Sequence, residues 1–164
     1  MGIDFTITNT TISASELIAF NAQYSGTVDS TAVTTITGTA SEITNVYSSS
    51  GFSGLGNESV ILTDEYTLAQ LKVINTSTTG SITLIANSVA LAGTASDLVA
   101  ALAGTFASSY TGNIAIIDEG GSSISATNLS AIGAATTGTV TVTNAVNIIG
   151  DHDEVTAALV TAST

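Results

Sequence analysis

The chain has no cysteine, proline or tryptophan, and its only basic side chain apart from one histidine is Lys72. Without cysteine, neither a disulfide framework nor a thiolate metal site is possible. With 13 acids against that single lysine, the net charge is -12. Such a surface repels nucleic acid and anionic lipid, and no arginine exists to clamp a phosphate. A membrane-spanning helix needs an unbroken apolar run of about 18 residues or more, and the sequence contains none. The opening Met1-Gly2-Ile3-Asp4 carries no basic segment followed by an apolar stretch, so no cleavable signal peptide is expected. The sequence therefore suggests a chain used inside the producing cell, released by lysis, exported without a signal, or excised from something longer.

What is present is apolar and repetitive. The 44% hydrophobic content excludes a disordered tail, and 164 residues suit one domain around one core. Ser, Thr or Asp stands at positions 13, 39, 67, 94, 125 and 151, a nearly constant spacing. Three residues after each comes Glu16, Glu42, Gln70, Asp97, Asn128 or Glu154. Four after comes Leu17, Ile43, Leu71, Leu98, Leu129 or Val155, and seven after comes Phe20, Val46, Ile74, Ala101, Ile132 or Ala158. This is a helix N-cap with a capping-box partner and one apolar face, written six times.

A glycine closes each of the first five units, at Gly26, Gly56, Gly80, Gly112 and Gly138, where a tight turn with positive φ is expected. Alternating β-branched stretches follow, at 27–28, 59–63, 81–85, 113–117 and 139–143, with 4–8 opening the set. The residue before the cap alternates. Ile12, Tyr66 and Ile124 are placed to staple onto the helix, whereas Gly38, Gly93 and Gly150 close an additional β-like piece. The larger repeat is thus a pair of units, present three times over about 10–65, 66–121 and 122–164.

Strand-helix-strand succession with short links demands parallel strands and right-handed crossovers. Units that are apolar on one side bury it by stacking on their neighbours. The expected fold is an α/β repeat solenoid of about six strand-turn-short-helix units in one domain, 1–164. It should be curved, because strands pack about 4.8 Å apart and helices need about 10 Å. A compact doubly wound α/β domain is the structural competitor, and no leucine-rich-repeat asparagine ladder is present.

The segment Ile124-Ser125-Ala126-x-x-Leu129-x-Ala131-Ile132-x-Ala134-x-Thr136-Thr137-Gly138-Thr139-Val140, together with Thr34-x-Ile36-Thr37-Gly38-Thr39-Ala40-Ser41-Glu42-Ile43, resembles a Thr- and Ala-rich repeat of marine cyanobacteria. That repeat occurs in very large cell-surface and haemolysin-like proteins, and in virion structural proteins of cyanophages. The resemblance implies a non-enzymatic structural role and transfers no catalytic residue or cofactor. The short chain starting at Met1 points to a small virion component, a capsid decoration or appendage on the virion surface. The alternative is an adhesive or matrix module at a bacterial cell surface.

Few residues offer chemistry. His152 lies in Gly150-Asp151-His152-Asp153-Glu154, the capping slot of the last helix, which reads as a solvated first turn favoured by the helix dipole. His152 with Asp153 as a catalytic dyad or a metal site is the sharper and less favoured reading. Asp151, Asp153 and Glu154 form a weak calcium candidate through their oxygens. Asp64-Glu65 and Asp118-Glu119 recur at equivalent places in successive double units. Paired carboxylates can do acid–base work, but recurrence with the repeat marks a structural turn. Outward threonines on stacked strands suit ice binding, yet only Thr139, Thr141 and Thr143 form a full set. The equivalents Ser59-Ile61-Thr63 and Asn113-Ala115-Ile117 break it.

The expected partners are copies of the chain or a larger protein assembly such as a capsid, with no nucleic acid and no membrane insertion. A stacked fold leaves strand edges and apolar helix surface at its two ends. Phe5 and Ile7 mark one of these assembly ends and Leu159 and Val160 the other.

Overall fold

A computed structural model describes residues 5–160. It is a mixed α/β structure with six helices and twelve short strands among those residues. Their order is two strands then a helix, six times over. The first three sets are β1 (Phe5–Thr6), β2 (Thr11–Ser13) and α1 (Ala14–Gln23); β3 (Val28–Asp29), β4 (Thr35–Gly38) and α2 (Ala40–Ser48); β5 (Phe52–Ser53), β6 (Ser59–Leu62) and α3 (Leu68–Ser77). The last three are β7 (Ile82–Thr83), β8 (Leu91–Gly93) and α4 (Ala95–Leu102); β9 (Ile114–Ile116), β10 (Ser123–Ser125) and α5 (Ala126–Ala135); β11 (Val140–Val142), β12 (Asn147–Ile149) and α6 (His152–Val160).

The strands form four small sheets, ordered β1-β3-β5, β2-β4-β6-β7, β11-β9-β8 and β10-β12, none closed into a barrel among the described residues. All their pairings are parallel. Each residue faces one roughly one unit further on: Phe5 faces Val28, Ile36 faces Val60, Val60 faces Ile82 and Ile114 faces Val140. Each helix packs on the next, from α1 on α2 through α5 on α6.

All six expected caps stand at helix starts. The Ser13, Thr39, Thr67, Thr94 and Ser125 hydroxyls accept from the amides three residues on, at 3.1–3.3 Å. Asp151 accepts from Glu154 N at 2.9 Å. The return arm of the capping box is present for Glu16, Glu42, Gln70 and Glu154. Asp97, one methylene shorter, instead meets the Thr94 hydroxyl at 3.0 Å and Lys72 Nζ at 2.5 Å.

Behind the caps lies one core. Leu17, Ile43, Leu71 and Leu98 are fully buried, and Leu129 nearly so. They pack against the inner faces of strands carrying Ile12, Ile36, Val60 and Ile82. Val155, the sixth residue of the expected row, is only half-buried. Its helix, α6, has α5 on one side and no later unit in the described residues to cover the other.

Three expectations are corrected. Ile12 and Ile124 lie within strands β2 and β10, so every unit, and not only alternate ones, has a second strand. These strands are too short for alternation to register in the sequence, as is β5, and the expected strand at 81–85 shrinks to Ile82–Thr83. The glycines that close the units are also not, in general, positive-φ positions. Among Gly26, Gly56, Gly80, Gly112 and Gly138 only Gly56 has positive φ. A Cβ on Gly80 would sit 2.2 Å from the Glu58 carbonyl oxygen, and one on Gly112 2.2 Å from that of Val89. The requirement there is close backbone approach between successive turns.

At Gly80 and Gly138 a threonine two residues before the glycine completes that joint. Thr78 Oγ1 accepts from Gly80 N at 3.0 Å and donates to Glu58 O at 2.6 Å. Thr136 Oγ1 accepts from Gly138 N at 2.9 Å and donates to Gly112 O at 2.7 Å. One hydroxyl thus shapes its own turn and ties it to the preceding one.

Candidate functional site

The carboxylates singled out in the sequence sit at helix starts. Two residues beyond β6, Asp64 Oδ1 accepts from Ala40 N, the first amide of α2, at 2.7 Å. Two beyond β9, Asp118 Oδ2 accepts from Ala95 N, the first amide of α4, also at 2.7 Å. Their recurrence is therefore a packing device that supplies a second acceptor to an already capped helix, where negative charge is favoured. Glu65 and Glu119, their neighbours, are solvent-exposed.

Hydrogen bonding lowers the pKa of three acids in the first turns of helices, Glu16, Glu42 and Asp97. The Ser13 hydroxyl and amide hold Glu16 below the ordinary range, the Thr39 amide and hydroxyl do so for Glu42, and Lys72 followed by Thr94 for Asp97. Each hydrogen bond favours the ionised form it is made to.

His152 and Asp153 stand almost fully in solvent, with Nδ1 and Oδ1 3.1 Å apart. Of the calcium candidate, Asp151 and Glu154 are engaged with each other's amides, while Asp153 faces the imidazole. Among the described residues, no group of three or more His, Cys, Asp or Glu is disposed to hold a metal ion.

The sequence reading missed Glu58. It is completely buried, with no ion-pair partner among the described residues. Gly54 (φ 80°) and Gly56 (φ 129°) bend the segment after β5. That bend lets Gly56 N and Asn57 N donate to Glu58 Oε2 at 2.7 and 3.1 Å. The Tyr47 hydroxyl, at the end of α2, donates to Oε1. Burial, then the bond to this carboxylate, push the Tyr47 pKa far above its usual value. The three donors make Glu58 an anchor joining α2 to the 54–58 segment. The close glycines Gly54 and Gly56 were the only local signal of an unusual backbone here.

Of the residues expected at assembly ends, Phe5 is half-buried and stacks on Phe20 and Tyr24, with ring centroids 5.1 and 4.9 Å away. Ile7 is 2% exposed, so it belongs to the core and offers no docking surface. Leu159 is 56% exposed, and the Val160 side chain lies outside the described residues. Val142 and Ile149, on the last two strands, join Leu159 among the exposed large apolar residues. Among the described residues, apolar exposure is thus greater at the C-terminal end than at the N-terminal one.

No family model, curated protein or solved structure matches the chain.

Proposed function

We propose that the chain is an α/β repeat solenoid serving as a non-enzymatic structural protein on the surface of a particle, a capsid decoration or appendage of a cyanophage-like virion. Two strands and a helix recur six times, parallel partners lie about one unit apart, and each helix packs on the next. Stacked units of this kind have two ends, and those ends carry the reading. β1 and β2 are edge strands at one end, β11 and β12 at the other. The second end also exposes Val142, Ile149 and Leu159. Open strand edges beside apolar side chains are what a partner in an assembly covers. With one lysine in the chain, a copy of itself docks through apolar and backbone contacts, and a different partner brings basic residues to the acidic surface.

No helix among the described residues is long and apolar enough to cross a membrane. The particle assignment adds to this geometry the sequence resemblance to cyanophage structural proteins.

Two measurements test the reading. Light scattering of the purified chain against concentration should show association that Leu159→Asp weakens; a strictly monomeric, stable protein would overturn the assembly role. Mass spectrometry should find the chain in purified virions. Recovery in cell envelopes instead would assign it to an adhesive or matrix module of the cell surface.

A further inference from the structure

The turns that follow α1 and α2 lie side by side and line an open surface depression of about 520 Å³. Its walls are residues 24–27 and 49–51, with the Asn21 side chain between them, and no charged side chain lines it. Asn21 Nδ2 donates to Ser49 Oγ at 3.2 Å, and Gly51 N donates to the same oxygen at 3.1 Å. That leaves the Ser49 proton free to donate outward. The Asn21 carbonyl oxygen occupies the place a Cβ on Gly51 would take, 1.7 Å away. The hydroxyls of Ser25, Thr27 and Ser50 make no hydrogen bond within the described protein.

The same asparagine–glycine packing recurs one double unit later and shows what is special here. Asn75 Oδ1 likewise lies 1.7 Å from a Cβ on Gly104. There the amide donates to Ala100 O at 2.7 Å and its oxygen is buried without a partner. Before Gly104 stand Leu102 and Ala103, with no hydroxyl, where Ser49 and Ser50 stand before Gly51. The joint at Asn75 is closed; the joint at Asn21 is open and hydroxyl-rich.

We infer that this pocket binds a neutral carbohydrate. A sugar ring presents closely spaced hydroxyls that both donate and accept, matching an amide oxygen and four hydroxyls. The absence of a cation disfavours phosphates and carboxylates, and the polar lining disfavours purely apolar ligands. Tyr24 supplies an amphipathic aromatic wall, and its stacking on Phe5 at 4.9 Å and 13° fixes the ring before any ligand arrives. The volume falls in the range of about 300–1,000 Å³ usual for small-molecule sites. Because each sugar hydroxyl exchanges water for protein at little net gain, a single site binds with a dissociation constant on the order of 1–10 mM. Strong attachment then requires many copies.

The inference is independent of the assembly reading and is tested on the full-length ¹⁵N-labelled chain. Maltose, cellobiose, lactose and N,N′-diacetylchitobiose are titrated to about 50 mM, some fivefold above the weakest expected constant, with glucose 6-phosphate as the charged comparator. At least one disaccharide should move the amides of residues 21–27 and 49–51, saturably, with no response to the phosphate. Tyr24→Ala and Asn21→Ala should each weaken that response at least tenfold, the dispersion of the same spectrum reporting whether each variant is folded. Ser50→Arg, at an exposed turn position, should block the pocket mouth without touching the core. Four silent disaccharides, shifts confined to other residues, or a response that Ser50→Arg leaves unchanged would overturn the inference.

Discussion

Asp118 reaches back across one unit to accept a 2.7 Å hydrogen bond from the amide of Ala95, the first residue of α4. Asp64 does the same for Ala40 in α2. Each helix already has its own Thr cap, so two successive turns of chain converge on one helix start. Asp118→Ala should cost about 1–2 kcal/mol, and Asp118→Asn, which keeps an acceptor but loses the charge, about 0.3–1 kcal/mol. Urea denaturation of the two variants would show the order; equal costs would mean that the charge carries the whole effect and a neutral acceptor adds nothing.

Two of the three threonine caps, Thr39 and Thr94, differ in their partners. Thr39 has a full reciprocal box with Glu42, whereas Thr94 lacks the return arm. Thr39→Ala and Thr94→Ala should each cost about 1 kcal/mol. Glu42→Ala should cost more than Asn128→Ala, because Asn128 makes no return bond to its cap. Thermal melts followed by circular dichroism check the ranking.

Tyr47→Phe leaves one oxygen of buried Glu58 without its side-chain donor, and should cost about 1–3 kcal/mol. Glu58→Ala strands the Tyr47 hydroxyl and two backbone amides at once and should exceed about 3 kcal/mol. Chemical denaturation measures both. A neutral outcome for Glu58→Ala would mean that the 54–58 segment repacks without its anchor.

Leu98→Ala, at a fully buried position, should destabilise by about 2–5 kcal/mol. Leu159→Ala, on the exposed face of α6, should stay within about 0.5 kcal/mol for the isolated chain. The contrast separates buried core from exposed surface within one pair of denaturation curves.

The pKa values of Glu16, Glu42 and Asp97 are lower in the folded chain than their ordinary values of 4.5, 4.5 and 3.8. Their contribution to stability is therefore fully present above the ordinary values and is lost as pH falls through the folded ones. Carboxyl ¹³C titrations should give midpoints below 4.5 for both glutamates and below 3.8 for Asp97. Lys72→Met should raise the Asp97 midpoint. A midpoint at or above the ordinary value would remove that group from the acid response.

Helix starts were legible because a capping hydroxyl, its partner three residues on and an apolar residue at four are all local choices. Leu17, Ile43, Leu71 and Leu98 follow directly from them. Strands such as Thr11–Ser13 were hidden because they are too short to display alternation, and their pairing is decided by a partner in the next unit, Thr35–Thr37. The roles of Asp64 and Asp118 were half-visible: their period marked structure, but only the fold names the amides they meet. Glu58 and the pocket by Asn21 were invisible for the same reason, since their partners come from separate turns brought together by stacking.

Lys72 projects from the middle of α3 and is held at 2.5 Å by Asp97 of the next helix. It is the chain's one Lys or Arg, so trypsin has a single bond to cut, Lys72–Val73, inside a regular helix. The folded protein should resist the protease until α3 opens, and cleavage then yields two pieces, residues 1–72 and 73–164. Amine-directed reagents face the same restriction. Apart from the α-amino group, a dye or cross-linker has one side-chain target, an amine that is part-exposed and paired with the Asp97 carboxylate.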